Sequence, residues 1–578
     1  MRYILYCSVL LIAAVHCPAT KAREALNNST PFTVKVYDAS DTSAVPLARV
    51  TLKRKGTLIV GEVTDVNGKA VFREVRPGWY TINVHYIGYN DYTDSILIDE
   101  SHTSLTAMLQ IISQGNVTVT AQHEEAISKV DVNNGAQVFD AETYHAAPTA
   151  RMTTLVQENV AGAARAPTGE IHIRGQHGEF TYYVDGIPIP MGVFGGLNEV
   201  VDPKVVEHAT FLTGGFPAEY GGQMAAIADI QNRVPGGFHL DASTYVGSYL
   251  VFNGASPFSP GADVASGAAS SAPGDTLGGR VGPFRALNSN GQALSLSDHA
   301  GDFGYFLSGS RQETDRRIDN PVPTLYNDHG MDYFLYGKFE YLLGDKDYLT
   351  ANLNFGKTNT EVPFDSALQG FSPDRQNTSN SFQTLSYYHT FSSVPDQEND
   401  LFIGLFARQG ALTYFPSAVS PATFQLPGDS IGYTVAEDRS FSTYGVRTKY
   451  DIRFSHQIQF AGGLNFYTTT GTEDFTLRDS AGNAGPHLVS NYSGSDFGVF
   501  AQAQWHPYEW TNIELGVRYD QHIAPDMPLQ DQISPRIRWN FLIDEANSAY
   551  VYYGKLFMPA DLESVRFLTS NGAGGVAT

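Results

Sequence analysis

The amino-acid sequence predicts a mainly β protein in three folded regions: a small β-sandwich at 31–110, a mixed α/β unit at 112–235, and an antiparallel transmembrane β-barrel at 236–578. Three observations carry that prediction. Gly (55), Tyr (32) and Phe (34) are abundant while charged residues make up only 17%, a balance that suits strands and aromatic girdles better than a soluble helical enzyme. Apolar and polar residues alternate at period two in many short runs. The first 22 residues read as a secretory signal peptide, with Arg2, an apolar run from Ile4 to Val15, and small residues before a cleavage point after Ala22.

That apolar run is too short for the ~20 residues a membrane-crossing helix needs, and no later stretch approaches that length without charges or Gly. Both cysteines, Cys7 and Cys17, lie in the leader, so the mature chain is expected to carry neither thiol nor disulfide. Lipidation at Cys17 fits poorly because His16 stands directly before it. The formal charge of −23 argues against nucleic acid as a partner and weakly favours cationic or metal-bearing ligands.

In the first region, Thr33-Val34-Lys35-Val36-Tyr37 and Tyr80 to Tyr86 alternate as half-buried strands. Asp65-Val66-Asn67-Gly68 and Pro77-Gly78 supply turn chemistry between strands. The Asp-x-Asn-Gly stretch with Glu74 has part of a calcium-loop spacing, but the first ligand position falls on Val63 and the flanks read as strands, so a plain turn is expected. Val63 to Phe72, Arg76-Pro77-Gly78-Trp79-Tyr80 and Ile87-Gly88-Tyr89 together resemble a carboxypeptidase-regulatory-like domain. The resemblance implies a seven-stranded, transthyretin-like, non-catalytic fold.

In the second region a helix is expected near Thr153 to Val160 among short strands and glycine turns. Ile171-His172-Ile173-Arg174-Gly175, then Tyr183-Val184-Asp185-Gly186-Ile187-Pro188, then Phe211-Leu212-Thr213-Gly214-Gly215-Phe216-Pro217-Ala218-Glu219-Tyr220-Gly221-Gly222, resemble in order and spacing the plug domain of TonB-dependent outer-membrane receptors. Val117-Thr118-Val119-Thr120-Ala121 and Val138 to Thr143 fit the same pattern. The glycines permit turns and close packing, and Arg174 and Asp185 flank turns in a unit that must sit in a wet, polar lumen. For both charges, shaping the plug is the expected role rather than contact with substrate.

The third region shows dyad patterning at Leu349 to Phe355, Tyr444 to Ile452, Ile513 to Asp520 and Arg536 to Phe541, with charged and polar residues expected inward and apolar ones outward. Asn253 to Gly301 and Glu473 to Gly494 read as surface loops, and His506 to Trp510 as a tight connection. Tyr387-Tyr388, Tyr552-Tyr553, Trp505, Trp510 and Trp539 are expected in interface girdles rather than stacked on a ligand. A plugged transporter barrel has 22 strands, whereas this region supplies about 17 at roughly 20 residues each. No final amphipathic strand or terminal aromatic is visible, so the sequence is expected to be a fragment with an incomplete barrel.

No catalytic residue, cofactor or metal site is expected. His506-Pro507-Tyr508-Glu509 matches a zinc-ligand spacing but sits in a turn, and His123-Glu124-Glu125-Ala126-Ile127 ends on Ile where a second His is needed. The resemblance implies energy-coupled uptake of a scarce substrate, such as a siderophore, vitamin, oligosaccharide or peptide, across the outer membrane, with the N-terminal domains in the periplasm. It implies as partners the outer-membrane lipid, the small-molecule or oligomeric substrate and a TonB-like energy-coupling protein, which would pair by strand addition with a segment such as Val117 to Ala121. Two alternatives stay open: a non-transporting binding or adhesion receptor, and a periplasmic zinc carboxypeptidase-like enzyme.

Overall fold

A computed structural model describes most of residues 30–109 and 136–559; stretches outside the description include 1–29, 110–135, 141–150, 166–170, 174–180, 191–200, 248–288, 315–328, 363–373, 417–423, 426–430 and 560–578, with shorter breaks between. The leader, Val117 to Ala121, Arg174, Gly175, Asp65, Asn67 and Glu509 therefore lie outside the described residues. The chain folds as two compact units, one holding residues 1–120 with 235–237 and the other holding the rest.

The first unit is a seven-stranded sandwich. Strands β1 (Thr30–Asp38), β4 (Lys69–Val75) and β7 (Ser104–Leu109) form one sheet in the order β4-β1-β7. Strands β2 (Arg49–Arg54), β3 (Thr57–Val63), β5 (Gly78–His85) and β6 (Tyr92–Ile98) form the other in the order β3-β2-β5-β6. Alternation decides which side faces in: Val34 and Val36 are buried while Lys35 between them is exposed, and they meet Leu52, Phe72, Ile82 and Ile98 in the core. Thr64 stitches the edge internally, donating through Oγ1 to the Val45 carbonyl at 2.7 Å and accepting from the Ala48 amide at 2.8 Å.

Gly68 closes the turn before β4 with φ of +70°, and a Cβ there would stand 2.4 Å from the Val36 carbonyl oxygen. The backbone requires both the left-handed conformation and the missing side chain. Gly68→Ala is expected to cost this domain about 2 kcal/mol or more, and calorimetry of the full chain would read it as a lowered first transition; an unchanged trace would count against the turn's role.

The second unit contains an inner module and a large sheet. In the module, β8 (Ala136–Asp140), β11 (Thr181–Val184), β12 (Ile187–Ile189), β13 (Val206–Leu212) and β14 (Ile227–Asn232) form one sheet in the order β12-β11-β14-β13-β8. A separate hairpin joins β9 (Ala163–Arg165) to β10 (Ile171–Ile173). Of the expected helix, residues 156 and 157 are helical and the Val160 amide donates to the Val156 carbonyl at 2.8 Å, while 153–155 and 158–159 lie outside the described residues.

The large sheet comprises β15 (His239–Gly247), β16 (Ser289–Ala300), β17 (Phe303–Thr314), β18 (Gly330–Leu342), β19 (Asp347–Glu361), β20 (Arg375–Val394), β21 (Gln397–Phe415), β22 (Phe424–Gln425), β23 (Gly432–Ser455), β24 (Ile458–Asp479), β25 (Ala484–Tyr508), β26 (Thr511–Ile523), β27 (Gln530–Leu542) and β28 (Ser548–Gly554). Neighbours pair antiparallel in chain order, with β22 held only on β23.

Sidedness follows the barrel pattern. In β26, Leu515 (51%) and Val517 (46%) are exposed, whereas Glu514, Arg518 and Asp520 between and beside them are buried. An outward apolar face with an inward charged one is stable only where lipid covers the outside. No helix among the described residues is long and apolar enough to cross a membrane.

Two expectations need correction. The stretch Asn253 to Gly301 is not loop throughout, because β16 occupies its end; small inward residues such as Gly291, Ala293 and Ser295 disguise the alternation with Leu294 and Leu296. Glu473 to Gly494 is mostly the paired ends of β24 and β25, with Glu473 opposite Ser490 and only 480–483 between the strands. Strands that continue past the lipid are polar on both faces and lose the dyad signal. Among the described residues the large sheet holds 14 strands, and β20 to β25, apart from the two-residue β22, run 19 to 25 residues.

The aromatic pairs also divide. Trp505, Trp510, Trp539 and Tyr553 are exposed on the outer face, and Tyr508 stacks on Trp510 with ring centroids 5.6 Å apart. Tyr552 and Tyr388 instead turn inward, the first onto the inner module and the second onto Tyr348 at 4.3 Å.

Candidate functional site

The inner module meets one face of the large sheet through two polar hubs and through apolar contacts, in which wall residues Phe382 and Phe406 join the module's core. The first is the two-residue turn between β11 and β12, where Asp185 has φ of +48° and Gly186 φ of +76°, with Val184 paired to Ile187. Both central residues need positive φ in this tight hairpin, which explains the Asp-Gly pair. The Asp185 carboxylate is buried and accepts from the Asn232 amide at 3.0 Å, from Asn232 Nδ2 at 3.3 Å and from Lys338 Nζ at 3.3 Å. It thus ties the hairpin to the end of β14 and to the wall strand β18.

The second hub is the loop 214–222 that follows β13. Its backbone carbonyls accept from wall side chains in succession: Gly215 from Arg538 Nη1 at 3.3 Å, Phe216 from Arg536 Nη1 at 3.2 Å and from the Tyr552 hydroxyl at 3.3 Å, and Pro217 again from Arg536. Glu219 accepts from Arg518 Nη1 at 3.2 Å, and Tyr220 from Arg536 Nη1 at 2.8 Å. The guanidinium fork suits this work because it offers several donors in one rigid plane. Gly221 gives Arg518 its path, since a Cβ there would lie 2.1 Å from Nε.

The side chains of this loop add ion pairs. Glu219 meets Lys449 Nζ at 3.0 Å and Arg447 Nη2 at 3.3 Å, while Arg447 lies 4.7 Å from the Tyr183 ring centroid. Burial opposes charge on Glu219, but Lys449 and Arg447 outweigh it and hold its carboxyl below the ordinary glutamate range. Tyr220 packs edge-on against Tyr183 and donates to Asp229 at 2.9 Å; burial and Asp229 push its hydroxyl well above the usual value, so it stays a donor.

A depressed carboxylate stabilises the folded state fully above its unfolded value, and that contribution is lost as pH falls through the folded one. Acidification below the ordinary carboxylate range is therefore expected to loosen the loop, read as faster proteolysis at 214–222. Glu219→Gln should already be loose at neutral pH and change less on acidification; equal pH profiles for the two proteins would defeat the assignment.

Further contacts ring the module: Asp202 accepts from Ser310 at 2.5 Å, Arg151 Nε faces Asp332 at 3.4 Å, and Arg408 donates to the Pro190 carbonyl. Of the residues singled out from sequence, the structure places Asp185 and Gly186 in the first hub and Gly214, Gly215, Tyr220, Gly221 and Gly222 in the second. Wall residues Lys338, Arg408, Arg447, Lys449, Arg518, Arg536 and Arg538 were visible in sequence only as inward dyad positions or not at all. Among the described residues no group of three or more His, Cys, Asp or Glu is placed to hold a metal ion.

Residues 32–111 match the carboxypeptidase regulatory-like domain family. No curated protein matches the chain. Among solved structures, the ferric yersiniabactin uptake receptor FyuA from Yersinia pestis aligns with a TM-score of 0.52 at 13% identity, over 74% of this chain and 65% of its own. The siderophore receptor PiuA from Acinetobacter baumannii gives 0.52 at 11% identity, over 74% and 65%. The siderophore receptor PirA from Acinetobacter baumannii gives 0.51 at 15% identity, over 75% and 62%. The chain thus spans less than two thirds of the length of these receptors and shares their fold. It combines a carboxypeptidase regulatory-like domain with the fold of these receptors.

Proposed function

We propose that the protein is an outer-membrane receptor for energy-coupled uptake of a scarce substrate, of the siderophore, vitamin, oligosaccharide or peptide class. The observation that carries this reading is how the plug is held: the loop 214–222 meets the wall through carbonyl hydrogen bonds and the Glu219 ion pairs. Polar contacts of this kind can be exchanged for water one at a time, whereas an apolar seal would cling until it failed as a whole. The plug also packs Ile187 and Val205 against wall aromatics, so the exchangeable polar contacts of the loop 214–222 mark the part of the plug that can yield first.

In this reading a TonB-like protein pairs by strand addition with a short extended segment before the plug, for which Val117-Thr118-Val119-Thr120-Ala121 is the candidate. Val119→Pro removes a backbone donor from that run and should abolish pairing. The test is accumulation of labelled candidate substrates by cells of the native host. Loss of uptake in Val119→Pro with surface binding retained supports the proposal. Binding without energy-dependent uptake in the unaltered protein would replace it with a non-transporting receptor.

A further inference from the structure

Beside the loop clamp, the inner face of β25 and β26 carries a group of side chains that the attachment of the plug does not use. Asp496 stands opposite His522, and Gly498 opposite Asp520, in the antiparallel register. His522 is 3% exposed and its Nδ1 lies 2.8 Å from Asp496 Oδ1, while its Nε2 is buried without a partner. Asp520 is 6% exposed; one oxygen accepts from Arg518 Nε at 2.7 Å, and its buried Oδ2 has no partner.

A carboxylate that accepts the Nδ1 proton fixes the imidazole tautomer and leaves Nε2 as a lone-pair acceptor. Asp520 Oδ2 is a second acceptor two residues away on the same inward face. Buried acceptors in folded proteins are almost always matched by donors, so both atoms call for an N–H donor, and Arg518 balances only one of the two carboxylates in the group. A metal ion is a poorer match: Arg518 already places a guanidinium on Asp520, and no third ligand joins His522 and Asp520 among the described residues. We infer that Asp496, Asp520 and His522 form a luminal acceptor site for a cationic nitrogen group, an ammonium or guanidinium carried by the transported substrate.

The inference rests on the uptake reading for the word "transported" and on geometry for the site itself. It also gives the plug a signal. Arg518 reaches the carbonyls of Ala218 and Glu219 through the same guanidinium that holds Asp520. A cation arriving on Asp520 competes with Arg518 for the carboxylate and so weakens the loop's hold.

The test uses the full chain in detergent with putrescine as probe and citrate as the anionic control. Calorimetric titration should show saturable putrescine binding. Asp520→Asn and His522→Gln should each weaken binding at least tenfold while strand content stays unchanged by circular dichroism; the second variant serves if the first fails to fold. Citrate binding as tightly as putrescine, or both variants binding putrescine within twofold of the unaltered protein, overturns the site. Putrescine binding with no energy-dependent uptake in cells would overturn the transport reading and leave the site standing.

Discussion

Arg536→Met is expected to free the loop 214–222 from the wall. One guanidinium nitrogen there serves the carbonyls of Phe216, Pro217 and Tyr220, and methionine offers them no donor. Each buried acceptor left bare costs ~1–3 kcal/mol, and neighbouring donors replace part of that, so a total loss of about 3 kcal/mol is expected. Urea unfolding followed by proteolysis at the loop measures it. Arg536→Lys should fall between, because an ammonium is a point donor and not a fork. A midpoint for Arg536→Met within error of the unaltered protein would show that Tyr552, Arg518 and Arg538 carry the loop without it.

A second large effect is expected at the other hub. Asp185→Ala removes the acceptor for Asn232 and Lys338 and strands the Lys338 ammonium in a buried site, where its remaining partners are Glu340 at 3.9 Å and the Asn232 carbonyl at 3.5 Å. Breaking one side of such a pair costs ~3–5 kcal/mol. Alanine also tolerates the positive φ of this turn poorly, whereas asparagine adopts it readily. Asp185→Asn should therefore lose less, and Lys338→Met combined with Asp185→Asn should recover much of the loss. The double-mutant cycle separates the ion pair from the turn; a single-variant loss below about 1 kcal/mol would mean that the pair is solvated.

Much of the fold was legible because the relevant signals are local. Alternation in β1, β19 and β26 gives both the strands and their buried faces, and Asp185-Gly186 announces its hairpin. The ends of β24 and β25 were not legible, since a strand that leaves the lipid has no apolar face to betray it. The site was half legible. The loop 214–222 stands out by its glycines, but its partners come from wall strands about 230 to 340 residues later, and nothing in Arg518 or Arg536 alone tells which inward charge meets the plug. Tyr552 shows the limit of type-based reasoning: its neighbour Tyr553 faces out as a girdle residue should, and the one-residue step along the strand sends Tyr552 inward.

Apart from the Glu219 ion pairs, the clamp grips main chain, and this has a mechanical meaning. Carbonyl groups repeat at every residue, so they carry no record of position along the loop. If the loop is drawn along the wall by one residue's length, Arg518 and Arg536 meet another carbonyl of the same kind and can close on it again. Such a track has no single breaking point and resists motion by friction, yielding in short steps and recovering between them. Substitutions in the loop other than at Glu219 and Gly221 that keep its backbone course should leave that behaviour intact, since there the wall reads only what every residue shares.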